Sequence, residues 1–182
     1  MGRSPVSPAA RIATGDDVLN AGLRFLVSRP RSEEEVRRRL SRVFPHDLVD
    51  QAITVLRGRG LLDDGEFARF WCRNREQHRP KGASAIMWEL LRFGVPREVV
   101  EEALGELDED EGAYRAASRV LKRLGGLDQW TFRRKLVAHL RRRGFDLGTV
   151  NRTVQRLLQE LSDPVHGGID GDGHHDQPEG VA

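Results

Sequence analysis

Residues 33–44 read EEEVRRRLSRVF, residues 83–94 read ASAIMWELLRFG and residues 133–144 read RRKLVAHLRRRG. Each segment holds two aliphatic residues one helical turn apart: Val36 and Leu40, Ile86 and Leu90, Leu136 and Leu140. The pairs recur at an offset of 50 positions. Each is followed by a break: Phe44-Pro45, Gly94-Val95-Pro96 and Gly144-Phe145-Asp146. A fixed period of this length is the signature of a tandem array. Gly94 and Gly144 are natural helix stops, because glycine accepts the left-handed conformation. Pro45 and Pro96 fit the first turn of the next helix, where a missing N–H costs little.

A second stripe follows each break: Val49, Ala52, Ile53, Leu56, then Val100, Ala103, Leu104, Leu107, then Val150, Thr153, Val154, Leu157. The i, i+3, i+4, i+7 spacing marks a helix buried on one side. Another helix precedes each pair, carrying Val18, Leu19, Leu23, Phe25 and Leu26, then Phe67, Phe70 and Trp71, then Tyr114, Ala117, Val120, Leu121 and Leu124. Ser32 with Glu35 forms a capping box, and Asp63 and Asp64 suit the start of the fourth helix. The fold expected is all-α: three tandem three-helix repeats in an elongated, curved array. The boundaries expected are an N-terminal tail over 1–14, repeats over 15–61, 62–108 and 109–161, and an acidic tail over 162–182. Both tails are polar or rich in small residues, and disorder is expected there.

Aromatic residues make up 6% of the 182, which argues against sandwiches and barrels. Cys72 is the single cysteine, so no internal disulfide is available and a reducing, cytoplasmic setting is expected. No apolar run is long enough to span a membrane, so no membrane contact is expected. The net charge of +2 is unevenly placed. Five of the 28 acidic residues lie beyond Ser162, which leaves 30 basic and 23 acidic residues before it. A body of that sign attracts phosphates or an acidic protein surface.

Nothing suggests catalysis. There is no glycine-rich phosphate loop, and Cys72 lies among the apolar residues of its helix with no histidine beside it. The tail stretch Asp170-Gly-Asp172-Gly-His174-His175-Asp176 holds metal-ligand types without the spacing of a calcium loop. No cofactor and no metal are expected. The basic residues carry more information. Arg42, Arg92 and Arg142 stand at one register, six beyond the first core residue of each repeat and about 240° around the helix from it. Arg37, Arg38 and Arg39 surround the first, and Arg134, Lys135 and Arg141 the third. Arg73, Arg75, Arg79 and Lys81 precede the second. These thirteen residues are the candidate contacts for a polyanion.

Gly60-Leu61-Leu62-Asp63-Asp64, then Phe67-Ala68, Trp71 and Arg75, then Lys81-Gly82, Ile86, Glu89-Leu90 and Gly94-Val95 together resemble the central repeat of the RecX family. The first repeat resembles it through Ala21, Leu23, Leu26, Arg29, Arg31-Ser32, Glu35-Val36, Arg39-Leu40 and Ile53 to Leu62, and Arg133 to Phe145 match more loosely. The resemblance spans about residues 16–161. It implies a non-catalytic, monomeric regulator that binds the RecA recombinase filament on single-stranded DNA, and duplex more weakly. It further implies restraint of filament extension, strand exchange, ATPase and co-protease activity, and so a part in DNA repair, recombination and the SOS response. Two other classes fit the residues: a helix-turn-helix transcription factor, and a scaffold that binds an acidic protein.

Overall fold

The computed structural model describes residues 13–162. Nine helices and no strand occur among them: α1 (Gly15–Leu26), α2 (Glu33–Leu40), α3 (His46–Gly58), α4 (Asp64–His78), α5 (Ala83–Arg92), α6 (Arg97–Gly105), α7 (Glu109–Leu124), α8 (Gln129–Arg142) and α9 (Leu147–Ser162). The tails assigned from composition fall outside the described residues, save for Ala13 and Thr14, which lead into α1, and Ser162, which ends α9.

Six of the nine helices have a capping side chain on the residue just before them. Thr14 and Ser32 complete capping boxes with Asp17 and Glu35, and Asp63, Asp108 and Asp128 cap α4, α7 and α8. Asp146 does the same for α9, accepting from the amides of Gly148 and Thr149 at 2.7 and 3.1 Å. The Thr149 side chain first, and then these amides, hold its carboxyl down at about 2. Pro45 and Pro96 stand one residue earlier than expected, at the N-cap of α3 and α6. Their extended ψ turns the chain, and the fixed φ still suits the helix that follows. Gly94 and Gly144 take φ of +84° and +86°, ending α5 and α8 as left-handed stops.

The extensive helix packing is within each triplet, α1 on α3, α4 on α6 and α7 on α9, with the middle helix closing each group. Three separate cores result. Val36, Leu40, Ile53 and Leu56 anchor the first, Phe67, Ile86, Leu90 and Val100 the second, and Leu136, Leu140, Phe145 and Val154 the third. The six residues read as the 50-residue pairs are all buried to 2% or less. Leu62 belongs to the first core, so that core closes one residue past the expected boundary.

The repeats meet through helix ends. The Ser32 hydroxyl donates to the Phe93 carbonyl at 2.7 Å, and the Glu33 amide donates to Asp64 at 2.9 Å. Fifty residues on, the Gly82 amide donates to the Arg143 carbonyl at 3.0 Å, and the Ala83 amide donates to Glu109. In both junctions the N-terminus of a middle helix meets the C-terminal turn of the next middle helix, through the Ser32 hydroxyl at the first and the Gly82 amide at the second, and a first-turn amide is taken by a carboxylate of the next repeat. At the second junction, where α5 has no capping side chain of its own, an amide end and a carbonyl end answer one another directly. Their dipoles meet with opposite signs. The middle helices α2, α5 and α8 therefore stand head to tail in a row.

Candidate nucleic-acid interface

That row fixes where the candidate residues lie. Arg42 follows α2 by two residues, and Arg92 and Arg142 end α5 and α8; all three are exposed. None has a carboxylate partner among the described residues. Arg39, Arg73, Arg79 and Lys135 are likewise exposed and unpaired, and Arg134 lies over the Trp130 ring at 4.6 Å. Arg141 turns back to the Phe145 carbonyl at 3.0 Å.

Four candidates are engaged inside the fold. Arg37 is paired with Glu33 at 3.1 Å and with Asp50, and these hydrogen bonds raise its basicity further. Arg38 holds Glu34 at 2.7 Å and reaches the Arg92 carbonyl at 3.3 Å across the first junction. Arg75 and Lys81 converge on Glu89, whose side chain is 14% exposed. Arg75 donates at 2.7 Å and the Trp71 indole N–H at 2.8 Å, with Lys81 on the other oxygen. Burial pushes the Glu89 carboxyl up, and the three donors more than offset this, so it titrates below its usual range. This cluster ties α4 to α5 and turns its two cations inward.

The structure adds features not singled out in the sequence. Trp88 and Trp130 are 62% and 67% exposed, and each carries an arginine over its ring, Arg92 at 5.3 Å and Arg134 at 4.6 Å. Trp71 has Arg75 at 4.3 Å. In all three the arginine is four residues on, so the i, i+4 spacing was the available signal. Arg119, Arg123 and Arg143 are absent from the candidate set. Arg123 lies beside Lys135 and Arg142 in the third repeat, and Arg119 and Arg123 act electrostatically on Arg143.

Cys72 is 5% exposed, and burial, reinforced by Glu76 and Glu106, pushes its thiol up to about 11. Only thiolate reacts, so this sulfur is not a nucleophile at neutral pH. Native protein at pH 8 is expected to react with a thiol reagent about a hundredfold more slowly than denatured protein. Equal rates would mean that the site opens freely. The metal-ligand types near Asp170 lie outside the described residues.

Comparison with known proteins agrees across the array. Family models match in order: RecX, first three-helix domain, over 19–56; second, over 63–104; third, over 108–154. A protein named Regulatory protein RecX from Prosthecochloris aestuarii is 37% identical over 77% of this chain and 93% of its own length. One of the same name from Amycolatopsis mediterranei is 34% identical over 75% of this chain and 80% of its own. The crystal structure of RecX from Lactobacillus salivarius superposes with a TM-score of 0.72 at 22% identity, covering 80% of this chain and 97% of that one, a likeness of fold.

Proposed function

The chain belongs to the RecX family, and on that premise we propose that it is a negative regulator of RecA. It binds the recombinase filament on single-stranded DNA and limits filament extension, strand exchange, ATPase and co-protease activity. The observation that carries this reading is the row of unpaired arginines. Arg42, Arg92 and Arg142 share one register of the repeat, Arg92 and Arg142 closing α5 and α8 and Arg42 lying two residues past the end of α2. A row of cations set by a repeat matches a partner that also repeats, whether nucleotides or recombinase subunits. Arg39, Arg73, Arg79, Arg134 and Lys135 widen it. Arg37, Arg38, Arg75, Lys81 and Arg141 support the row from within.

The two other classes receive less support. A helix-turn-helix reader presents the N-terminal residues of its recognition helix to base edges. The N-termini of α2 and α5 are occupied by the junctions. A scaffold for an acidic protein is separated by salt, because phosphate contacts make affinity fall steeply with ionic strength.

The deciding experiment is RecA ATPase on single-stranded DNA, with this protein added below one per recombinase. Suppression at such ratios is expected. No effect from folded, helical protein overturns the reading. Replacing Arg42, Arg92 and Arg142 together by glutamate is expected to leave helical content unchanged and to weaken suppression. If each contacts one phosphate, the salt slope of single-strand binding falls by about 2. Unchanged suppression would remove these three residues from the interface.

A further inference from the structure

The groove between the C-terminal halves of α7 and α8 carries charge of one sign. It encloses about 380 Å³ and is lined by Arg123 of α7 and by Lys135, His139 and Arg142 of α8, with Val120, Leu124 and Ala138 as its apolar wall. No carboxylate lines it. The arginines around it are satisfied by neutral groups. Arg143 donates to the Pro80 carbonyl and to the His139 ring, each at 3.0 Å, and Arg119 donates to the Gln77 carbonyl at 2.9 Å.

Several arginines elsewhere are paired with carboxylates, as Arg37, Arg38, Arg97, Arg152 and Arg156 show, and the unpaired Arg39, Arg42, Arg73 and Arg92 are exposed to solvent. Here the repulsion is left standing. Burial lowers the Arg143 guanidinium, and Arg119, Arg123 and Arg79 lower it further. Burial likewise lowers the His139 imidazole, followed by Arg143 and Arg142, with Arg123 adding from α7; the Ala116 carbonyl opposes them. A cationic pocket with apolar walls and no counter-ion does not stabilise a fold. It does focus field on an incoming anion.

We propose that this groove seats one backbone phosphate of single-stranded DNA, with Arg123, Lys135 and Arg142 as its cationic contacts and His139 beside them. The proposal rests on the DNA-binding reading above and names where the third repeat holds the strand. The cavity has room for a phosphodiester and part of its sugar, and the aliphatic wall suits the sugar rather than a bare ion. The Trp130 and Arg134 pair stands on the same helix, with Trp130 five residues before Lys135, and offers a ring on which a base can stack.

A bound phosphate offsets the cations that depress His139, so the imidazole titration moves upward on binding. The complex then takes up a proton. Affinity is highest below the free imidazole's range and falls as pH rises through that of the bound form, tenfold for each unit between the two.

The test follows the His139 ring by NMR in the full chain, assigned with His139→Gln, with inorganic phosphate and with an oligothymidylate as probes. Both are expected to move its titration upward. Arg123→Gln, at an exposed position, is expected to abolish the phosphate response and to weaken oligothymidylate binding about three- to tenfold. Oligothymidylate that binds, but leaves His139 unmoved and is indifferent to Arg123→Gln, overturns the groove while the DNA reading stands. A response to inorganic phosphate alone, with the oligonucleotide bound elsewhere, marks a free-anion site and also overturns it. No oligonucleotide binding at low salt overturns both.

Discussion

Replacing Gly82 by alanine is expected to separate the second and third repeats while leaving each of them folded. The backbone at Gly82, φ −75° and ψ 163°, is open to any residue. What excludes a side chain is proximity. A Cβ there would lie inside contact distance of the Gly144 carbonyl and the Phe145 amide, which are backbone atoms and cannot turn aside. The opposing glycine is equally confined, because a Cβ on Gly144 would meet the Ala85 amide at 2.7 Å. Overpacking of this kind costs about 2–3 kcal/mol. In a chain of repeats the loss falls on the interface between neighbours. Hydrogen exchange should speed at residues 82 and 83, whose amides lose the Arg143 carbonyl and Glu109, and stay slow inside α4 to α9. Gly58→Ala is the control, since nothing lies within 4 Å of the added carbon. Unchanged exchange at residues 82 and 83 would show that the junction tolerates separation and that the head-to-tail row is not held there. The first junction makes the comparison sharper. Ser32 holds the corresponding place and spends its side chain on the Phe93 carbonyl. Gly82→Ser would copy that hydroxyl but brings the same Cβ against the Gly144 and Phe145 backbone, so it is expected to fail as alanine does.

The second large effect is expected at Glu89. Glu89→Gln keeps the shape but leaves Arg75, Lys81 and the Trp71 N–H facing an amide that offers one acceptor and two unwanted donors. Removing one member of a largely buried charged cluster costs about 2–3 kcal/mol. Melting temperature should then fall by about 4–12 °C. The pH dependence supplies a second check. The carboxyl is depressed in the folded state, so its stabilisation is present above the unfolded carboxylate range near about 4.3 and is lost as pH falls through the lower folded value. The gap between wild type and variant should be full at neutral pH and close in acid. A gap that is the same at pH 3 and pH 7 would mean that the charge of Glu89 is not what holds α4 to α5.

The cores and helix ends were legible in the sequence because they follow local rules. The 50-residue pairs, the stripes on α3, α6 and α9, the Ser32 capping box and the glycine stops are set by period and by neighbours in the chain. The candidate interface was legible only in part. Arg42, Arg92 and Arg142 share a register, and helix geometry alone puts them outside. Whether a cation is open depends on what lies across from it. Arg75 and Lys81 look like surface charge until α4 and α5 bring both to Glu89, 14 and 8 residues away.

The sequence by itself determined three helical units and the exposed register of their arginines, because periodicity and capping act over a few residues. The tertiary structure alone decided how those units join. The junctions pair Ser32 with Phe93 and Gly82 with Arg143, each 61 residues apart. It also decided that Arg123 joins Lys135 and Arg142 in one groove with no carboxylate in its lining, and that Arg119 and Arg123 crowd Arg143. Charges interact through space and helix ends seek partners wherever the chain places them, and neither leaves a mark in local spacing.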